Sequence, residues 1–293
     1  MIDYHHLLNW KFPEVEQKLT QRDTILYALG IGLGADPLDT KQLRFVYEKN
    51  LLAFPSMAAA LCYPGNWLRN PQTGVDFLHV LNGGTQFVIP RPLMTEGTLI
   101  CRPQVIEIVD KGKGKGAIVV VERKVYDKTK GALLCTVTTT QVCRGDGGFG
   151  GPGKSSIAPA PWLVPNASPQ KTVEISTARN LALIYRVHGE HNPISDQNPI
   201  HVDPDVACAA GFPAPILHGL STLGIATHAL LKGWCDYDPA QLKSMSVRYS
   251  APVIPGDVIR TDMWREDSIV RFRCVVAARR ATVLDHGRAE LGT

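Results

Sequence analysis

APVIPGDVI, residues 251–259, repeats the pattern of PRPLMTEGTL, residues 90–99: a proline-bearing turn, a glycine, then the start of an apolar strand. The two glycines, Gly97 and Gly256, lie 159 residues apart. After the first copy, Thr98–Asp110, Ala117–Asp127 and Ala132–Arg144 read as strands, separated by the polar glycine turns KGKGKG (111–116) and KTKG (128–131). In the last of these, Leu134, Thr136, Thr138 and Thr140 fall on one face and Cys135, Val137, Thr139 and Gln141 on the other. After the second copy come Ser244–Tyr249, Val258–Glu266, Ile269–Arg279 and Ala281–Leu284, with DHG (285–287) read as a closing turn. Each set of strands follows an apolar segment, Phe54–Tyr63 and Leu217–Trp234, and in the latter Leu220, Leu223, Ala226, Thr227, Leu230 and Leu231 have helical spacing. The expected helix starts, near Pro55 and His218, are 163 residues apart, so the spacing nearly repeats. Between the halves, GDGGFGGPGKSSIAPAPWLVPNASP (145–169) has no periodicity and reads as a linker. The expectation is an α+β fold made by a degenerate duplication: residues 1–144 and 170–293 each form a helix with an antiparallel sheet.

Composition bounds the function. The 293 residues are 44% hydrophobic and 20% charged, enough to fill a core, which excludes global disorder. A net charge of +4 is too small to argue for a nucleic-acid partner. No apolar run reaches the ~18 residues of a membrane span. The N-terminal MIDYHHLLNWKFPEVEQ has no apolar core of a signal peptide, and the C-terminal RAELGT carries neither a peroxisomal nor a retention address. The seven cysteines are odd in number and widely spaced, with no CxxC pair. They read as core thiols of a soluble, cytoplasmic protein and not as a zinc ribbon or disulfide framework.

Three motifs mimic chemistry. GFGGPGKS (148–155) satisfies the phosphate-loop pattern, but that loop needs a helix directly after the lysine, and Pro159, Pro161 and Pro165 forbid one. GIGLGAD (30–36) follows no strand and reads as a helix end. His188, His191 and His201 with Asp203 could be imagined as metal ligands, but they sit among Asn-Pro turns without a rigid frame, so no metal is expected. Lys111, Lys113 and Lys115 read as solvated turn residues, with a hold on a substrate phosphate as the lesser alternative.

The stretch that carries function is ALIYRVHGEHNPISDQNPIHVDPDVACAAGFPAPILHGLSTLGIA (182–226). Asp196 and His201 stand five residues apart in an irregular segment, where they are an acid and a base without an obvious packing role. A capping network is the bland alternative. Asp203 should cap a short helix that Gly211 closes. His218-Gly219 then begins the long apolar helix, whose unpaired N–H groups and positive dipole end suit a developing oxyanion.

DQNPIHVDP (196–204) followed by AAGFPAPILHG (209–219) resembles the hydratase 2 motif of MaoC-like (R)-specific enoyl-CoA hydratases. DTILYALGIGLGADPLDTKQLRFVYE (23–48) and GGFGG (147–151) extend the resemblance to the two-repeat members of that family. The resemblance implies a double hot-dog fold, each half an antiparallel sheet wrapped around a helix, with only the C-terminal repeat catalytic and the N-terminal one making room for the acyl chain. Phe54-Pro55-Ser56 stands where Leu217-His218-Gly219 stands in the second half, and no DxNPxxH precedes it. By resemblance, Asp196 and His201 hold and activate a water and the Gly219 N–H polarises the thioester carbonyl. Asn198 orients the loop, Tyr185 and Arg186 shape the site rather than react, and His218 joins Tyr185 and Asn198 in binding substrate. The implied reaction is reversible hydration of trans-2-enoyl-CoA to (R)-3-hydroxyacyl-CoA by a homodimer. The CoA thioester is the substrate, and no metal or redox cofactor is needed. The family's run Tyr-Arg-x-x-Gly-Asp-x-Asn-Pro-x-His is interrupted here by about six extra residues after YRVHGE (185–190). Two registers therefore compete: Asp196 with His201, which is the one adopted, or Glu190 with Ser195 in the histidine's place. A non-catalytic acyl-CoA-binding protein and a hot-dog thioesterase are the rival readings.

Overall fold

The computed structural model describes residues 1–157, 162, 164–165, 167–188 and 198–292. Eleven strands among them form one sheet: β1 Val15–Leu19, β2 Val80–Val88, β3 Gly97–Cys101, β4 Gln104–Asp110, β5 Ala117–Asp127, β6 Leu133–Cys143, β7 Lys171–Ser176, β8 Leu242–Tyr249, β9 Val258–Glu266, β10 Ile269–Val276 and β11 Ala281–Leu291. The helices are α1 Tyr4–Leu8, α2 Gln21–Leu29, α3 Thr40–Leu43, α4 Leu181–Tyr185, α5 Pro204–Ala209 and α6 Gly219–Trp234.

The strand order, β1-β3-β5-β6-β2-β8-β11-β10-β9-β7 with β4 beside β5, makes the duplication visible. Taking β3 and β4 as one broken strand, β1, β3/β4, β5, β6 and β2 correspond in turn to β7, β9, β10, β11 and β8. The halves meet where β2 pairs antiparallel with β8, Phe87 opposite Met245 and Thr85 opposite Val247. This is the double hot-dog architecture.

The differences from the sequence reading have local causes. Thr98–Asp110 is two strands, because Pro103 lacks the N–H that would continue the ladder. DHG is not a turn: β11 runs through it, with a bulge between Asp285 and Arg288 and His286 at φ 50°. Ile269–Arg279 ends as a strand at Val276 and finishes in a 3₁₀ turn. Strands β1, β2 and β7 were not legible in the pattern.

The two central helices are unequal. α6 is buried from Ser221 to Leu231, with Leu223, Ile225, Ala226, Ala229 and Leu230 among its core residues. Its counterpart in the first half is only the six-residue 3₁₀ turn Pro55–Ala60. Pro64 disfavours helix at the residue before it, and Cys62 already stands at φ 48°, so the helix cannot extend. Arg123 closes that turn by donating from its guanidinium to the Ala59 carbonyl at 2.7 Å. A half-helix under a full-width sheet leaves space, and that space holds the cavity described below.

The phosphate-loop lookalike is occupied by the chain's own carboxylates. Asp110 accepts from the N–H groups of Gly112, Gly148 and Gly150 at 2.7–2.8 Å. Glu107 accepts from the Ser156 N–H and from the hydroxyls of Ser155 and Ser156. Backbone donors that could cradle a phosphate are thus already spent on internal anions. Lys111, Lys113 and Lys115 are exposed in the β4–β5 turn.

Candidate active site

A cavity of about 500 Å³ lies between the halves. Its volume is that of a small-molecule site. One wall is built from Tyr185, His188 and residues between Asn198 and Thr222, the other from β1, the Pro55–Ala60 turn and residues 77–82 of the first half.

His201 ends a 3₁₀ turn, Pro199–His201, whose Asn198 cap accepts from the Ile200 N–H at 3.2 Å. Proline fixes the entry and the Asx cap fixes the first N–H, so this short polar segment holds one conformation without a regular ladder. His201 Nδ1 lies 2.8 Å from the Ile216 carbonyl. A carbonyl only accepts, so Nδ1 carries the proton and Nε2 is the basic nitrogen. The imidazole is 8% exposed, buried enough to be held and open enough to meet a substrate.

The approach to α6 is equally constrained. The Leu217 N–H donates to the Val253 carbonyl at 2.7 Å and the Ile216 N–H to the Ile200 carbonyl at 3.2 Å. His218 is the N-cap residue and makes no side-chain cap, which leaves the first N–H groups of a sixteen-residue helix facing the cavity wall. The His218 ring stacks on His201, and Tyr185 sits against it at 5.0 Å between centroids. Tyr185 is in turn packed on His188 and Tyr27, whose hydroxyl donates to Ser56 at 2.9 Å. Gly219 is closely packed: a Cβ there would lie 3.2 Å from the Tyr249 ring, which would have to yield by a few tenths of an ångström. Burial drives the Tyr249 and Tyr27 phenols well above their ordinary range, so both are neutral donors. Such a wall offers an imidazole base beside the first N–H groups of α6, the set needed to move a proton while stabilising a developing oxyanion.

Of the residues singled out in the sequence, the structure brings His201, Asn198, Tyr185, His218 and Gly219 to this one cavity. Asp196 lies outside the described residues, as do Glu190, His191 and Ser195. Asp203 turns away to its helix, accepting from the N–H groups of Asp205 and Val206, and Gly211 follows at φ 86°. Sequence reasoning missed Gln17, Asp23 and Tyr249. Gln17 and Asp23 carried a signal in hindsight: each is a polar residue on the inward side of a short amphipathic element.

Both halves of the chain match known protein families. Residues 163–285 match the model of the MaoC like domain, and residues 17–145 match that of the MFE-2 hydratase 2 N-terminal domain. The chain belongs to the MaoC-like hydratase 2 family. This family member is 36% identical to enoyl-CoA hydratase 2, peroxisomal, of Arabidopsis thaliana over 95% of its own length and 92% of the plant protein's. It is also 36% identical to 3-hydroxyacyl-thioester dehydratase Y of Mycobacterium tuberculosis, with 92% of each covered. Peroxisomal multifunctional enzyme type 2 of Drosophila melanogaster is 36% identical, but the chain spans only 46% of that longer protein. The crystal structure of a MaoC-like dehydratase from Phytophthora capsici superposes with a TM-score of 0.85 at 32% identity, covering 100% of this chain and 99% of that one. Among the described residues, no helix of this hydratase 2 family member is long and apolar enough to cross a membrane.

Proposed function

We propose that this protein is a hydro-lyase that adds water reversibly to trans-2-enoyl-CoA, giving (R)-3-hydroxyacyl-CoA. The observation that carries the reading is the tie between base and oxyanion site. Ile216 holds His201 through its carbonyl, and two residues later the same strand of chain delivers His218 and Gly219 to the start of α6.

In the forward direction the water oxygen bonds to C3, its proton passes to the base, the C2=C3 pair moves toward the thioester, and a proton is delivered to C2. The thioester oxygen carries enolate charge meanwhile, and the Gly219 N–H at the helix start is placed to stabilise it. His201, with Nε2 as its basic nitrogen, holds the water together with Asp196. Asn198 fixes the turn that presents His201, while Tyr185 and His218 form the wall against which the acyl thioester lies. The reaction moves protons and no electrons, so the reading calls on no redox cofactor, and the CoA thioester is itself the substrate. Residues 1–144 serve as the substrate-accommodating repeat, 145–169 as the linker and 170–293 as the catalytic repeat. A cytoplasmic homodimer completes the reading. The supporting observation for a reducing compartment is that six of the seven cysteines are buried as free thiols, burial pushing Cys135, Cys143 and Cys274 up to about 12.

The test is the loss of enoyl-thioester absorbance from crotonyl-CoA and a longer enoyl-CoA, with Asp196→Asn and Glu190→Gln alongside. Activity lost in the first variant and kept in the second is expected. Intact binding without turnover in the native protein would overturn the enzyme reading.

A further inference from the structure

The cavity lining runs from exposed residues, Asn66, Leu81 and Asn82, which mark its open end, to Leu19, Met57 and Leu61, no more than 3% exposed, which mark its closed end. A hydrated CoA handle belongs at the open end and the tail of the acyl chain at the closed one. The closed end is not purely apolar. Gln17, on the inward face of β1 between Val15 and Leu19, lines it and is 5% exposed. Its Oε1 accepts from the Cys62 N–H at 2.7 Å, which fixes the amide the right way round. The Nε2 donors are therefore the end left to the cavity, and no acceptor meets them among the described residues. An alkyl tail laid against this donor would cover it without giving it an acceptor, a cost that an oxygen-bearing tail avoids.

Charge nearby is balanced. Behind the wall, the buried Arg123 guanidinium lies 5.5 Å from the ring of Tyr63, which itself lines the cavity. On the wall stands the buried carboxyl group of Asp23. An ionised terminus would have to shed its water in this buried part of the cavity, so a neutral oxygen suits the position better than an ionised one.

We infer that Gln17 is a specificity-determining residue, and that the closed end selects acyl chains bearing a neutral hydroxyl near their far terminus. The hydroxyl oxygen accepts from Gln17 Nε2. This inference rests on the hydratase reading for the orientation of the acyl-CoA, and it is tested by binding so that the two can fail separately.

Saturated acyl-CoAs of matched length ending in methyl, hydroxymethyl or carboxylate, over a series of lengths, are titrated into the native protein by calorimetry. At the best-fitting length the hydroxyl-ended chain is expected to bind about threefold to tenfold more tightly than the methyl-ended one, the worth of one neutral hydrogen bond. Gln17→Leu, checked for folding by thermal melting, should abolish that preference. Equal binding of methyl and hydroxyl chains by the native protein overturns the inference whether or not the variant folds. So do tighter binding of the carboxylate chain and a preference that survives in Gln17→Leu. A preference that holds while 2-enoyl-CoA goes unhydrated overturns the hydratase reading alone.

Discussion

The imidazole rings of His201 and His218 stack with their centroids 3.8 Å apart and their planes 26° from parallel. The stack fixes the plane of the His201 ring against its neighbour. Because Nδ1 of His201 is committed to Ile216, the whole basic capacity of the ring sits on Nε2. Replacing His201 by Gln keeps a polar group of similar reach but removes the base. The hydration rate is expected to fall by ~10²–10⁴-fold. Binding of a saturated acyl-CoA should persist. Steady-state kinetics beside a binding titration separates the two, and an unchanged kcat would remove His201 from the chemistry.

Gly219 carries a second prediction. An added methyl group would lie 3.2 Å from Cε1 of Tyr249, tighter than ordinary contact, so either the ring or the helix start must shift. Tyr249 is itself tied to Thr85 by a 3.1 Å hydrogen bond across the seam between halves, which limits how far it yields. Gly219→Ala is therefore expected to displace the oxyanion donor, lowering kcat by ~10²–10³-fold with a smaller change in KM. A variant with native kcat would place the oxyanion site elsewhere.

Stability should depend on pH through His228. It lies inside α6, hydrogen-bonded through Nε2 to the Tyr237 hydroxyl at 2.9 Å, and burial pulls its pKa down to about 4. The unfolded chain takes up this proton near pH 6.5, the folded one only near pH 4. Between those values the unfolded state binds more protons, so stability falls as pH drops through 6.5 and levels off below 4. Urea unfolding at pH 7.5 and 5 should show this loss in the native protein and a smaller one in His228→Gln. Equal losses in the two would assign the effect to other groups.

The linker clasp gives a fourth test. Backbone N–H groups, that of Gly148 foremost, hold the Asp110 carboxylate below its ordinary pKa. A depressed carboxylate stabilises its surroundings above its ordinary pKa and loses that effect as the pH falls through the folded value. Asp110→Ala leaves the N–H groups of Gly148 and Gly150 without their acceptor, and limited proteolysis should cut faster within residues 147–156 than in the native protein. An unchanged cleavage rate would mean that the Pro152 carbonyl, which accepts from the Asp110 N–H at 2.8 Å, and the bonds of Ser155 and Ser156 to Glu107 hold the segment without that carboxylate.

Much of this protein was local enough to be read along the chain. Alternation marks a strand's faces within a few residues, so Cys135, Val137, Thr139 and Gln141 could be placed on one side of β6 before any fold was known. Caps and turns are likewise short-range, which is why Asp203, Gly211 and Gly256 were legible. His201, His218 and Gly219 were found because they lie within one stretch of chain. What only the tertiary structure decided depends on pairs far apart in sequence. The β2–β8 seam joins residues about 160 apart. The stack of His201 on His218 depends on which carbonyl captures Nδ1. The inward turn of Gln17 matters only because Cys62 fixes its amide and because the shortened Pro55–Ala60 turn leaves a space for it to face. Side-chain period and capping are set by neighbouring residues, whereas a cavity is set by what distant segments fail to fill.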